Sequence, residues 1–274
     1  MQSMNKAFNF LHRVVKFFKN YLLKNPVFTV AYAFAYFAPN FSFRAKFYRN
    51  DEFKNKIKEG KSLIRIGDGE IHIMNGGSIS YQKYENKIDK VLMSSIKDYS
   101  HDCNYVLAIN ERVINKSNSH LKKVGQFSLW LPMKVYYFLY FKKDLDYFDA
   151  SAFYYKDSFE NIFHEHFKGK KLIINTLDKN IKAQKENIEK HFEVLEWIPS
   201  QEPNPFDLYE STKNKIRKII DENANKKDLV FILGCGPMSK VLAYDFCSEV
   251  QCLDVGIGFE IAYTEKDMSS ILKI

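Results

Sequence analysis

The sequence is poor in cysteine and has neither a membrane-length apolar run nor a repeat. Cys103, Cys235, Cys247 and Cys252 form no Cys-x-x-Cys pair and are too sparse for a secreted disulfide scaffold, so they read as reduced, mostly buried thiols. The apolar stretch VFTVAYAFAYFA between Pro26 and Pro39 falls short of the ~20 residues that span a bilayer. The first residues are basic and polar, without the apolar run and small-residue cleavage site of a signal peptide, which points to a cytosolic protein. Internal repeats and low-complexity segments are absent.

What remains is an ordinary folding composition with two biases. At 274 residues the chain can bury the core of one large α/β domain or two small ones, and with 46% hydrophobic residues no long segment reads as disordered. The expected division is a helical segment over 1–50 and one domain over 51–274. The first bias is aromatic, with 24 Phe and 17 Tyr gathered largely in the first 50 residues and between Phe127 and Tyr155, interleaved with basic residues. The second is a net charge of +8, which suits nucleic acid, a membrane surface or phosphorylated substrates without choosing among them. Any single lysine reads first as solvated exterior.

Periodicity orders the chain. Phe8 to Leu23 spaces apolar residues helically among Lys and Arg, a basic amphipathic pattern. The Pro26 to Pro39 stretch is expected to pack on the domain or lie in a membrane interface beside it. Strands are expected over 62–66, 105–109, 171–175, 194–198, 229–233 and 252–255. Helices are expected over 53–61, 88–99, 179–191, 207–223 and 239–247, with a loop or helix start over 68–77. Such alternation describes a Rossmann-like, mostly parallel sheet with helices on both faces, whose ligands bind at the carboxyl ends of strands.

Two glycine-rich segments fall at such ends. In SLIRIGDGE, Asp68 and Glu70 flank one glycine directly after an apolar strand. Continued in extended backbone, residues two apart project to one side, and two carboxylates there can converge on Mg²⁺ or Mn²⁺. Gly67 and Gly69 would supply permissive dihedrals, and Arg65 a fork of donors for phosphate. Asp-Gly is also a common turn dipeptide, and alone the segment reads first as a surface turn. In FILGCGPMSKVLAYDF, Gly234 and Gly236 lead into a helix whose amides suit an anionic group. That turn also resembles the cofactor turn of S-adenosylmethionine-dependent methyltransferases, or serves only tight helix packing. His164 and His166, two apart, do not share a helix face and read as an exposed turn.

RIGDGE at Arg65 to Glu70, QKY at Gln82 to Tyr84, IPSQEPNPFDLY ending at Tyr209, GPMSKVLAYDF, and LDVG at Leu253 to Gly256 stand in the order seen in GT-D glycosyltransferases. Over roughly residues 55 to 265 the chain resembles that family. The resemblance implies a nucleoside-diphosphate sugar donor, often UDP-linked, and a divalent metal, Mn²⁺ or Mg²⁺, at Asp68 and Glu70. It places Arg65, Gly67 and Gly69 in the donor pocket, with Gln82, Asn204 and Asp254 around it. The expected acceptor is a glycan, lipid-linked saccharide or protein, with peripheral contact to an anionic membrane and no nucleic-acid partner. Asp254, Glu260, His72 and His101 are open as bases. The competing readings are a methyltransferase using Gly234 to Gly236 and a non-catalytic basic adaptor for membrane or nucleic acid.

Overall fold

The computed structural model describes residues 25–263, so the expected basic helix from Phe8 to Leu23 lies outside the described residues. Elements follow in the order α1 (Pro26–Phe37), β1 (Lys46–Phe47), α2 (Asn50–Lys58), β2 (Ser62–Arg65), α3 (Asp68–Met74), α4 (Asn86–Lys97) and β3 (Tyr105–Ile109). Next come α5 (Glu111–Asn115), α6 (Asn118–Lys123), α7 (Phe127–Tyr140), β4 (Asp146–Asp149), α8 (Lys156–Phe167), β5 (Lys171–Leu177) and α9 (Asp178–Glu189). The last are β6 (Glu193–Ser200), α10 (Tyr209–Glu222), β7 (Leu229–Leu233), α11 (Pro237–Phe246), β8 (Gln251–Asp254) and α12 (Gly258–Tyr263).

Among the described residues all eight strands join one parallel sheet in the order β1-β4-β3-β2-β8-β7-β5-β6. A parallel sheet needs both faces covered, and the central strands are apolar at every position for that reason. In β3, Tyr105, Leu107 and Ile109 face one core while Val106 and Ala108 face the other. In β7, Leu229, Phe231 and Leu233 divide from Val230 and Ile232 in the same way. Helices α3, α4, α7, α10 and α11 contribute to the first core, and α2, α8, α9 and α12 to the second. The edge strand β6 is partly exposed and carries Glu193, Glu196 and Pro199.

The route of the chain out of the strands creates the crevice. After β2 it turns into α3 on the first face, and after β7 into α11 on that same face. After β8, which lies between β2 and β7, it turns into α12 on the opposite face. Neighbouring strand ends whose connections part in this way leave a ligand cleft above them.

Helix α1 packs along α7, with Phe28 and Ala35 buried in the first core. The pair is antiparallel: Asn25 Nδ2 donates to Tyr140 Oη at 3.0 Å at one end, and the Tyr36 and Phe127 rings lie 5.3 Å apart near the other. Among the interleaved basic residues, Lys134 is fully buried, contrary to the solvated-exterior reading. Its ammonium donates to the carbonyl of Phe41, to Lys116 O at 2.7 Å and to Asn118 Oδ1 at 3.1 Å, which fastens the two loops beside α7. Replacing Lys134 by Met strands those acceptors inside the protein. Urea unfolding of Lys134→Met is expected to show a loss of about 2–4 kcal/mol, against little change for an exposed lysine such as Lys218.

Candidate active site

The strand ends of β2, β7 and β8 open into a cavity of about 660 Å³, lined among others by Arg65, Asp68, Glu70, Tyr81, Gly236 and Lys240. That volume suits a ligand larger than a simple anion. A cleft of similar size, about 690 Å³, lies away from these ends among Lys54, Lys58, His164 and His191 and receives neither glycine-rich turn.

Asp68 and Glu70 do not continue the strand as expected. They open α3, because Glu70 Oε2 accepts from the backbone N–H of Gly67 at 2.9 Å and so caps the helix start. On a helix, residues two apart do not share a face, and the two carboxylates have different surroundings. Glu70 is buried, with Lys240 Nζ 3.4 Å from its other oxygen. Asp68 is exposed at the cavity. Although solvent reaches it, burial within the wall and then the charge of Glu70 raise its carboxyl above the usual range, while its own and Gly69's N–H and His72 act the other way.

Asp254, the last residue of β8, is fully buried and organises the other wall. Its Oδ2 accepts from the Arg65 backbone N–H at 3.1 Å and lies 3.7 Å from Arg65 Nε and 3.1 Å from Lys240 Nζ. Lys240, one turn into α11, also donates to Gly236 O at 3.2 Å. Burial opposes the charge of Arg65, but Asp254, Tyr154 and Glu70 outweigh it and hold its pKa above the ordinary arginine value. The guanidinium carbon lies 5.4 Å from the Phe153 ring centroid, and Nε has no hydrogen-bond partner.

The glycines divide by what surrounds them. Gly67 and Gly69 are not among the positive-φ residues, so the expected need for permissive dihedrals is not met there. A Cβ at Gly67 would lie 3.2 Å from Glu70 Oε2, whereas one at Gly69 would make ordinary contact with Ile79 at 3.5 Å. Gly234 approaches the backbone, its added Cβ lying 3.0 Å from Gly256 O. Gly236 has φ of +57°, and its added Cβ would lie 2.8 Å from the Tyr81 ring.

Of the remaining sequence candidates, Gln82 and Asn204 do not line the cavity. Gln82 is buried, accepting from Phe206 N–H at 3.2 Å and donating to Lys83 O at 3.0 Å. Asn204 accepts from Lys83 N–H at 2.9 Å, and together they fix the loop carrying Tyr81. Glu260 accepts from Asn180 at 3.2 Å in a small neighbouring cavity. The His72 ring lies against Gly77, and His101 precedes β3 at the opposite end of the sheet. His164 and His166 are half-buried rather than exposed, and His166 Nε2 meets Gln251 Oε1 at 2.6 Å.

Lys240 and Tyr81 are the site residues that sequence reasoning missed. Burial, then Glu70 and Asp68, push the Tyr81 hydroxyl well above its ordinary pKa, so it stays a neutral donor. Nothing in the local pattern singles out either one; Lys240 meets Glu70 from 170 positions away in the chain.

Among the described residues no group of three His, Cys, Asp or Glu side chains is set to hold a metal by itself. The donor set still fits a hard divalent cation of the kind that takes one or two carboxylates and completes its shell with substrate phosphates. Asp68 offers open oxygens next to a second carboxylate whose charge it does not escape.

A family model described as the glycosyltransferase GT-D fold matches residues 63–265. Solved structures share the architecture. One is described as the highly conserved domain of unknown function 1792 with a distinct glycosyltransferase fold; it is 22% identical, with a TM-score of 0.63 over 80% of this chain and 80% of that one. Another, a glycosyltransferase with the same domain from Streptococcus sanguinis, is 17% identical, with a TM-score of 0.63 over 78% of this chain and 81% of that one. A selenomethionine form of such a domain is 22% identical, with a TM-score of 0.62 over 77% and 78% of the two chains. No curated protein matches the sequence.

Gly256 and Gly69 give a paired test of the cavity wall. At Gly256 φ is +53° and an added Cβ would fall 1.8 Å from Arg65 Nη2. Gly256→Ala is therefore expected to lose about 1–3 kcal/mol in urea unfolding. Gly69→Ala, in the first turn of a helix with room for a methyl group, is expected to change stability by less than about 1 kcal/mol, on the stabilising side.

Proposed function

The chain belongs to the glycosyltransferase GT-D fold family, and we propose that it moves a sugar from a UDP-linked donor to a hydroxyl of a glycan, lipid-linked saccharide or glycoprotein, with Asp68 and Glu70 holding Mn²⁺ or Mg²⁺. The observation that carries the reading is the cavity at the β2/β8 crevice, where paired carboxylates, two cations and a glycine-rich helix entrance converge. The methyltransferase alternative falls with the family assignment, and β8 is the sole strand following the Gly234 to Gly236 turn among the described residues.

In this reading the donor diphosphate lies between the Gly234 to Gly236 turn and Arg65. The guanidinium offers fixed donors to the anion, beside a turn whose Gly234, Cys235 and Ser239 N–H groups already donate to Asn175 O, Ser239 Oγ and Gly236 O. Tyr81, packed on Gly236, closes the base of the turn. Transfer breaks the bond between the anomeric carbon and the diphosphate oxygen, forms one to the acceptor oxygen, and releases the proton of that hydroxyl to water. Negative charge grows on the departing nucleoside diphosphate, and donors held ready in the cavity stabilise that change. A divalent cation, when bound, supplies Lewis-acid neutralisation of the same charge. Lys240 does not need to touch the donor: between Glu70 and Asp254 it keeps two buried carboxylates compensated and Glu70 in position.

Release of UDP from a panel of UDP-sugars, with and without Mn²⁺, tests the proposal. Asp68→Asn keeps the helix start and should lower kcat/KM by roughly a hundredfold or more, with little change in melting temperature. Glu70→Gln should lower both activity and stability, because it disturbs the Gly67 cap and leaves Lys240 with one carboxylate fewer. Calorimetry showing no binding of UDP by the wild type, together with no turnover of any donor, would remove the reading.

A further inference from the structure

Among the described residues the outer side of α1 is an apolar stripe with nothing packed on it. Val27, Val30, Phe34 and Phe37 recur at helical spacing and are 60%, 72%, 68% and 81% exposed. No residue of this helix is charged, and its other side is fixed on α7 by Phe28 and Ala35. A helix of 12 residues, about 18 Å long, cannot cross a bilayer, and among the described residues no helix is long and apolar enough to do so. It can lie flat in a lipid interface.

Charge selects the occupant. Eight basic residues and no acidic one precede Asp51, so the remainder of the chain carries 33 of each sign. The net charge of +8 therefore belongs wholly to the first 50 residues, on either side of the apolar helix. A second copy docked through the stripe would bring two such basic segments together. An anionic lipid surface meets both the apolar face and the basic flanks.

Position links this face to the cavity. The carboxyl end of α1 lies beside the start of α7, through the Tyr36 and Phe127 rings. The next residues of α7, Leu129 and Trp130, line the cavity, and Leu129 is 46% exposed. We infer that the apolar face of α1 docks on an anionic bilayer and turns the cavity toward an acceptor carried by that membrane. The acceptor role rests on the glycosyl-transfer reading above; the docking does not.

Sedimentation of the full chain with phosphatidylcholine vesicles, with and without phosphatidylserine, tests this against Val30→Asp/Phe34→Asp. The wild type should bind the phosphatidylserine vesicles, less so as salt is raised. The double variant should bind roughly tenfold or more weakly while keeping the wild-type melting temperature and UDP affinity. Equal vesicle binding by both proteins, or none by the wild type, overturns the inference. A dimer in light scattering that the double variant dissolves, without vesicle binding, overturns it in favour of a second copy. Vesicle binding by a wild type that fails to bind UDP leaves the docking face standing and overturns the acceptor role.

Discussion

The pairing of one buried carboxylate underlies the site. Asp254 has no contact with solvent, and a charge so placed is tolerated only where opposite charges and N–H donors surround it. Its partners come from the end of β2, through the Arg65 backbone and side chain, and from α11, through Lys240. The anion thereby ties together three segments that part company above the sheet. Lys240 passes the constraint on to Glu70, and Glu70 to the start of α3. Removing the central charge would leave Arg65 without its ion-pair partner and Lys240 with Glu70 alone.

The sequence revealed the frame more readily than the corners. Strands β3 and β7 occupy the expected residues, because a strand covered on both faces must be apolar throughout and is bounded sharply by polar turns. Asp68 and Glu70 stand out because acidic residues flank a glycine right after such a strand. Their relation was misread, since alternation was carried past the end of β2 at Arg65 as far as Glu70: Glu70 caps the Gly67 amide and turns the chain into a helix. Asp254 was visible through the family pattern, but as a pocket residue rather than as the buried tie between walls. Lys240 and Tyr81 had no local signal, because what defines them is proximity to residues remote in sequence.

The stretch from Phe127 to Tyr155 was illegible for a different reason. Pro132 lies inside α7, and apolar residues occur on every side of that helix, so neither a helical stripe nor an end is marked. Strand β4 is four residues long and bracketed by aspartates, which disguise it as a loop. Both elements are specified by what they pack against. Helix α7 is buried between α1 and α3, and its one interior lysine is hydrogen-bonded by loop oxygens rather than paired with an acid.

The two sheet edges make opposite use of brevity and chemistry. At one, β1 offers two residues. At the other, β6 is long enough to template a further strand, but Pro199 removes an amide donor and Glu193 and Glu196 place negative charge along it. Neither margin invites a foreign strand to continue the ladder, so a high local concentration would crowd these molecules without zipping their backbones together.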